Sequence, residues 1–117
     1  MSKVIVTHIN PDQDALSSVW LIRRYYPGFQ GDDVEYAFIS AGTTYQNVPV
    51  DSDPSVVHVD VGLGMFDHHQ IPKKICAFTR IYDYMTKRSL IPVYDEVALG
   101  RMGKVINDYD NFLNVYY

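Results

Sequence analysis

The sequence lacks several features that mark specialised classes of protein. Its 117 residues contain one cysteine, Cys76, which excludes an intramolecular disulfide and is compatible with a reducing compartment. Its apolar runs are far shorter than the ~20 residues that a membrane-spanning helix needs. The N-terminus passes from Met-Ser-Lys directly into a strand-like segment, without the pattern of a secretory signal. We therefore expect a single cytoplasmic domain over residues 1–117 that makes no membrane contact.

A basic surplus is also lacking. Ten Lys and Arg residues stand against fourteen Asp and Glu residues, which gives a formal net charge of −4 with neutral histidines. A protein that binds nucleic acid tightly by charge alone usually carries a strong positive excess, so this class is disfavoured. Clustered carboxylates can however be metal ligands, and bound cations then offset the acidic charge and attract phosphate.

The apolar residues alternate between strand-like and helix-like spacing along the chain. This spacing predicts strands over residues 3–7, 34–40 and 55–60, with a shorter strand at 65–66. It predicts helices from Asn10-Pro11 to about residue 26, over 74–88, and from 91 onward. Such an order is typical of an α/β fold with three layers, in which helices flank a mainly parallel sheet.

The first group of chemically notable residues is His8, Asp12 and Asp14, between the first strand and the first helix. Ligands bind at the carboxyl ends of the strands in open α/β sheets, and this loop lies at such an end. His8 and Asp12 can converge on one metal ion across the turn, while Asp14 can hold a neighbouring ion. The alternative is that both acids only complement the positive end of the helix dipole.

Two further groups follow later strands. Asp60 ends a strand, where it can act as a metal ligand or simply as a turn former. The triplet Asp67-His68-His69 follows a predicted short strand, so that one histidine can bind metal while the next faces a substrate. His58 lies within a strand, on the same face as Asp60, and we expect it to have a structural role or to support a metal ligand without binding the metal itself.

These residues carry a resemblance to the DHH phosphoesterase superfamily. Residues 8–18, His-Ile-Asn-Pro-Asp-Gln-Asp-Ala-Leu-Ser-Ser, resemble its first motif, usually written His-x-x-Pro-Asp-x-Asp-Ala-x-x-Ser. Residues 58–62, His-Val-Asp-Val-Gly, are similar to its second motif. Residues 66–70, Phe-Asp-His-His-Gln, are similar to the triplet that names the family. The resemblance covers roughly residues 3 to 112, and it implies the fold of a DHH-type N-terminal domain.

The resemblance also implies two metal ions and a role for each ligand. His8, Asp12 and Asp60 would hold one ion, and Asp60 would bridge to a second ion. Asp14, His68 and a further aspartate would complete the second site. The further aspartate is Asp110 by its neighbour Asn111, although Asp108 has the better spacing and either can be a solvated helix end. His69 would contact the phosphate and Asp67 would orient its neighbours, so these two are the candidate catalytic residues.

The function implied is hydrolysis of a phosphoester or phosphoanhydride by a hydroxide that two metal ions activate. Ligands rich in oxygen, with a minority of imidazoles, suit Mn²⁺ or Mg²⁺. The expected partner is a phosphorylated small molecule, pyrophosphate or short nucleic acid. Relatives carry a second, substrate-binding lobe that this sequence lacks, so a fragment, a homodimer, a partner subunit that completes the cleft, or a minimal relative are all open. The alternatives are a non-catalytic module that binds metal or nucleotide and a nucleic-acid-processing subunit that uses basic pairs such as Arg23-Arg24.

Overall fold

The computed structural model describes residues 2–40, 42–67 and 76–110, without the side chains of residues 109 and 110. Its elements in chain order are β1 (Lys3–His8), α1 (Gln13–Tyr25), β2 (Val34–Ile39), a 3₁₀ turn (Tyr45–Asn47), β3 (Val56–His58), α2 (Ala77–Lys87) and α3 (Val93–Asp110). This is an α/β arrangement, which confirms the predicted class.

The three strands form one parallel sheet in the order β2-β1-β3. β1 is the central strand: Lys3–His8 pairs in register with Val34–Ile39, and Val4 pairs with Val56. Both faces of a central parallel strand are covered, which explains why β1 consists almost entirely of β-branched residues. The parallel direction places the ends of β1 and β3, and the residues that follow them, at the same edge of the sheet.

The two faces of the sheet are covered differently. The face that carries Ile5 belongs to the main core, together with residues of all three helices such as Leu21, Phe78 and Ile106. The face that carries Val4 and Val6 packs against residues of the connecting segments, including Val61 and Tyr45. None of the described helices combines the length and the apolar character that crossing a membrane requires.

The predicted start of the first helix is wrong. The first helix begins at Gln13 and not at Pro11, since the N-cap is Asp12, whose Oδ1 accepts a hydrogen bond from the Ala15 N–H at 2.9 Å. Asn10, the predicted N-cap, has a left-handed backbone with φ of 59°. An aspartate side chain satisfies a free N–H of the first helical turn, which outweighs the preference of proline for the first helical position.

The short strand predicted at residues 65–66 is absent. Phe66 instead accepts a hydrogen bond at its carbonyl from the Asp60 N–H, at 2.9 Å, so residues 60–66 form a closed turn. Left-handed φ values at Asp60, Gly62 and Leu63 reverse the chain direction within it. The turn leaves the edge of the sheet and returns to it, so that Asp60 and Asp67 both lie at this edge.

Candidate metal centre

Three of the predicted ligands meet at the carboxyl edge of the sheet. His8 ends β1, Asp12 caps α1 and Asp60 follows β3, and one donor atom from each lies within 4.8 Å of the other two. Asp12 is exposed, His8 is half-buried and Asp60 is buried. A buried carboxylate is costly unless a partner offsets its charge. The side chain of Asp60 therefore needs a cation or a proton donor in this position.

The contacts of His8 show how its imidazole is oriented. Nδ1 lies 3.1 Å from the carbonyl oxygen of Ile9, and Nε2 lies 3.1 Å from Oδ2 of Asp60. A carbonyl can only accept, so we assign the proton of the neutral ring to Nδ1. Nε2 is then left with a lone pair facing a carboxylate. Either a second proton or a metal cation must lie between these two atoms.

The surroundings of His8 favour a proton at this contact when no cation is bound. Burial lowers the pKa of His8, but the hydrogen bond to Ile9, the contact with Asp60 and the charge of Asp12 together raise it by more. The net pKa therefore lies above the ordinary value of histidine. A cation bound by the same residues would take the place of this proton, because both compete for the Nε2 lone pair.

A cleft of about 490 Å³ opens beside the three ligands. Ile9, Gly42, Asp67 and the turn residues 61–63 form the rest of its lining. Asp51 holds this turn in place, because its Oδ2 accepts a hydrogen bond from the Met65 N–H at 2.9 Å. A Cβ at Gly64 would lie 2.5 Å from the same oxygen, so only glycine allows the carboxylate this close.

Asp51 was missed by the sequence analysis, because the acidic segment of residues 51–53 has the composition of a linker. Its hydrogen-bonding partner lies fourteen positions away, and no local pattern indicates it. The glycine pair around Leu63 was the available signal. A glycine without a left-handed φ, as at Gly64, often marks a close approach of another group.

Asp67 lies in the wall of the cleft and is buried. Its Oδ2 accepts a hydrogen bond from the Leu63 N–H at 2.9 Å, which ties the end of the turn to its middle. Its main-chain carbonyl accepts a hydrogen bond from the Arg80 guanidinium on α2. Asp67 thus connects the turn to α2, through its carboxylate on one side and its main-chain carbonyl on the other. Its predicted role of orienting neighbouring site residues stays a prediction. Arg80 was not predicted, since nothing in the sequence relates it to a residue thirteen positions earlier.

Asp14 does not join the group of three. It is buried at the junction of α1 with α2, where its two oxygens accept hydrogen bonds from the N–H groups of Ala77 and Phe78 at 3.0 and 2.9 Å. These N–H groups belong to the first turn of α2, which has no partner for them within the helix. The carboxylate therefore caps α2 from the neighbouring helix, in addition to any metal that it holds.

The remaining predicted residues fall in three places. His68 and His69 lie outside the described residues, and so does the side chain of Asp110, at the end of α3. Asp108 forms an ion pair with Lys104, one helical turn earlier, at 3.0 Å. His58 is buried away from the cluster and accepts a hydrogen bond at Nε2 from the Tyr45 N–H, at 3.1 Å, as its predicted structural role requires.

No family model, curated protein or solved structure matches the chain. An imidazole with a fixed tautomer, one exposed carboxylate and one buried carboxylate converge beside an open cleft. Such a set can bind a divalent cation and leave part of its coordination sphere open to a substrate.

The basic pair Arg23-Arg24, proposed as a contact for nucleic acid, has other partners in the structure. The Arg23 guanidinium donates hydrogen bonds to the carbonyls of Phe29 and Gly31, at 2.8 and 2.9 Å, and so holds the segment after α1. Arg24 stacks on the rings of Trp20 and Tyr25. Neither guanidinium belongs to the lining of the cleft.

Proposed function

We propose that the chain is a metal-dependent hydrolase of phosphoesters or phosphoanhydrides, with His8, Asp12 and Asp60 as ligands of one divalent cation. The observation that carries the proposal is the contact of His8 Nε2 with Asp60 Oδ2, 3.1 Å long, in which the other ring nitrogen already faces a carbonyl. Asp12 adds a second carboxylate within 4.8 Å. This arrangement accommodates a cation without any change in the histidine tautomer.

The donor atoms favour manganese or magnesium. Two carboxylates and one imidazole offer oxygen and nitrogen, which are the ligands that Mn²⁺ prefers, and oxygen alone is typical for Mg²⁺. The sulfur of Cys76 is buried beside Thr79 in α2 and is not a member of the group. A site selective for a thiolate-bound metal is therefore disfavoured.

A cation at this position supplies Lewis acidity, which lowers the pKa of water and offsets charge on phosphoryl oxygens. The protein contributes the rest. The Ile9 carbonyl holds the proton of the neutral His8 ring on Nδ1, so that the lone pair of Nε2 faces the position of the cation. Asp67 and Asp51 hold the turn that lines the cleft by accepting hydrogen bonds from the N–H groups of Leu63 and Met65. The cleft volume, about 490 Å³, is within the range of pockets that bind small molecules.

The resemblance to DHH phosphoesterases adds the finer parts of the proposal. These are the three-layer architecture of a DHH-type N-terminal domain, a second cation at Asp14, His68 and Asp110 bridged by Asp60, and a phosphate contact from His69. Asp14 can serve both as helix cap and as ligand, because an ionised carboxylate accepts about four hydrogen bonds or metal contacts. The expected substrate is a nucleotide, a short oligonucleotide or pyrophosphate.

Metal binding and turnover are tested separately. Calorimetric titration of the metal-free chain with Mn²⁺ should give saturable binding that His8→Gln weakens at least about tenfold. Asp53→Asn is the matched control, since Asp53 is an exposed carboxylate that contacts Ser55 outside the cleft. Equal binding by all three proteins, or none by the natural chain, would exclude the site.

Turnover is then measured with bis-p-nitrophenyl phosphate, short oligonucleotides and pyrophosphate in Mn²⁺, Mg²⁺ or Co²⁺. We expect hydrolysis that is lost in His8→Gln and retained in Asp53→Asn. Saturable Mn²⁺ binding without hydrolysis of any of these substrates would replace the hydrolase by a non-catalytic metal-binding module.

A further inference from the structure

β2 is an edge strand with an apolar face. It pairs with β1 on one side, and within the described residues no strand pairs with its other side. Tyr36 and Phe38 point to the same face because they are two residues apart, and about half of each side chain is exposed, 51% and 53%. An open edge that carries exposed aromatic residues is a template for pairing with another strand.

The apolar face continues from β2 onto α1. Tyr36 and Phe38 form one wall of a groove of about 460 Å³, and Leu16 and Trp20 form the other. Leu16 is 54% exposed and Trp20 is 42% exposed. Among the described residues that line the groove, only Arg23 is charged, and its guanidinium already donates hydrogen bonds to two loop carbonyls. The groove therefore fits an apolar partner surface and not a charged one.

We propose that a second copy of the chain covers this face, with the two β2 strands paired antiparallel about a two-fold axis at Ala37. In that register Tyr36 lies opposite the partner's Phe38, and Phe38 lies opposite the partner's Tyr36. The interface thus contains two aromatic cross-strand pairs on one face, which is the kind of pair that stabilises antiparallel strands. The two three-stranded sheets become one sheet of six strands.

The sequence of β2 favours this register over its neighbours. If the pairing were shifted by one residue, so that Tyr36 lay opposite the partner's Ala37, the two aromatic faces would lie on opposite sides of the joined sheet. With the axis at Ala37, the small side chain lies at the point of closest approach. Glu35 then lies opposite the partner's Ile39, so the two glutamates do not face each other. An axis at Glu35 would oppose like charges directly.

The exposed area is sufficient for a dimer. Three half-exposed aromatics and Leu16 offer about 400 Å² per copy, if an aromatic side chain can bury roughly 150–250 Å². A biological interface needs at least about 500 Å² per partner, and standard ones use about 800 Å². The main chain of a six-residue strand and the flanking side chains supply the difference. A second copy brings the same apolar wall and open edge, which makes the contact self-complementary.

Sedimentation equilibrium of the natural chain and three variants tests the dimer. The natural chain should have twice the 13.4 kDa mass at high concentration. Tyr36→Glu and Phe38→Lys should each weaken dimerisation at least about tenfold, because each change occurs twice about the axis. A mixture of the two variants should form a heterodimer in preference to either homodimer, since it contains one opposite-charge pair and one aromatic pair. Val97→Lys, on the exposed side of α3, is the control and should dimerise normally.

Amide hydrogen exchange of the natural chain gives a second measurement that needs no variant. Protection of residues 34–39 should rise with protein concentration, while that of the central strand β1 should not change. A monomer at every concentration up to about 1 mM, a dimer that Val97→Lys breaks, or a dimer that tolerates both β2 substitutions would each overturn the proposal. A monomer that instead binds single-stranded oligonucleotide through Trp20 would overturn it in the same way.

Discussion

Asp12 and Asp14 are two residues apart in one helix start, and the structure uses them in different environments. Asp12 is exposed at the cleft, caps its own helix through Oδ1 and lies within 4.8 Å of His8 and Asp60. Asp14 is 1% exposed and caps a different helix, through hydrogen bonds to Ala77 and Phe78. Two residues correspond to about 200° of rotation around a helix axis, so the two carboxylates point to opposite sides.

One short motif, residues 12–14, can therefore contribute both to a candidate binding site and to the packing of the helices. The carboxylate at the cleft, Asp12, is exposed and is free to approach a cation beside His8 and Asp60. The carboxylate at the junction, Asp14, accepts hydrogen bonds from the N-terminus of α2. The adjacent residue Cys76 donates its N–H to the side chain of Asn107 on α3, at 2.7 Å. Asp14 therefore lies where all three helices meet. Its proposed contact with a second metal stays a prediction.

The largest expected effect concerns the cleft. Asp60→Asn should lower Mn²⁺ affinity more than about 100-fold, because it removes the charge of the buried ligand. This exceeds the loss of about 10- to 100-fold that is typical when a residue supporting a ligand is changed. The same change at Asp14 should cost less affinity and more stability. Titration calorimetry and urea unfolding of both variants distinguish the two. Equal losses of affinity would show that Asp14 belongs to the metal site as fully as Asp60.

The next effect concerns the junction. Asp14→Ala leaves the N–H groups of Ala77 and Phe78 buried without their acceptor, and should lower the free energy of unfolding by about 3 kcal/mol. Asp12→Ala removes only a helix N-cap and should cost about 1 kcal/mol. Urea unfolding in the presence of a chelator measures both, so that metal does not contribute. Similar values for the two variants would contradict the assignment of Asp14 to the junction.

The natural cysteine Cys76 can serve as a probe of the same junction. The thiol is fully buried, and burial together with the charge of Asp14 raises its pKa to about 12. The native chain should therefore react with a disulfide reagent at pH 8 only through opening of the junction. If Asp14→Ala costs about 3 kcal/mol, labelling in that variant should be about 100-fold faster. A rate unchanged by Asp14→Ala would place the opening elsewhere in the molecule.

A smaller effect is the pH dependence of metal binding. The folded pKa of His8 is raised, so its proton stabilises the metal-free chain below the ordinary pKa of histidine, and this stabilisation is lost as pH rises through the folded value. Mn²⁺ must displace the proton, so its affinity should fall about tenfold per pH unit below that value and level off above it. Titrations from pH 5.5 to 8.5 measure the slope. His8→Gln should flatten it, and an unchanged slope would place the titrating group outside the imidazole.

The smallest effect concerns the support of the turn. Asp51→Ala removes the acceptor of the Met65 N–H, which should cost about 1 kcal/mol of stability and less than a tenfold loss of Mn²⁺ affinity. Asp53→Ala, two residues further on, is the matched change outside the turn and should leave affinity unchanged. Loss of affinity in both would mean that the whole segment, and not the single hydrogen bond, sets the cleft.

The sequence allowed prediction of the features that depend on local order. The β-branched run of β1, the position of His8 at its end and the convergence with Asp60 follow from strand periodicity and from the parallel direction of the sheet. The features that could not be predicted depend on contacts between residues that are distant in the sequence. Asp14 meets α2 more than sixty positions away. Asp51 meets Met65 fourteen positions away, and the glycines of the turn indicate a close approach without identifying the residue that approaches. The helix start was misplaced because Asp12 competes with the Asn-Pro pair for the N-cap.

The pairing of β1 with β3 links the site to the kinetics of folding. His8 and Asp60 are fifty-two positions apart in the chain, and the pairing of Val4 with Val56 brings them together. Closing so long a loop costs entropy before any contact repays it, which makes this pairing a slow step. A cation that needs both residues cannot assist that step. We expect it to act afterwards, by slowing the rate of unfolding and leaving the rate of folding nearly unchanged.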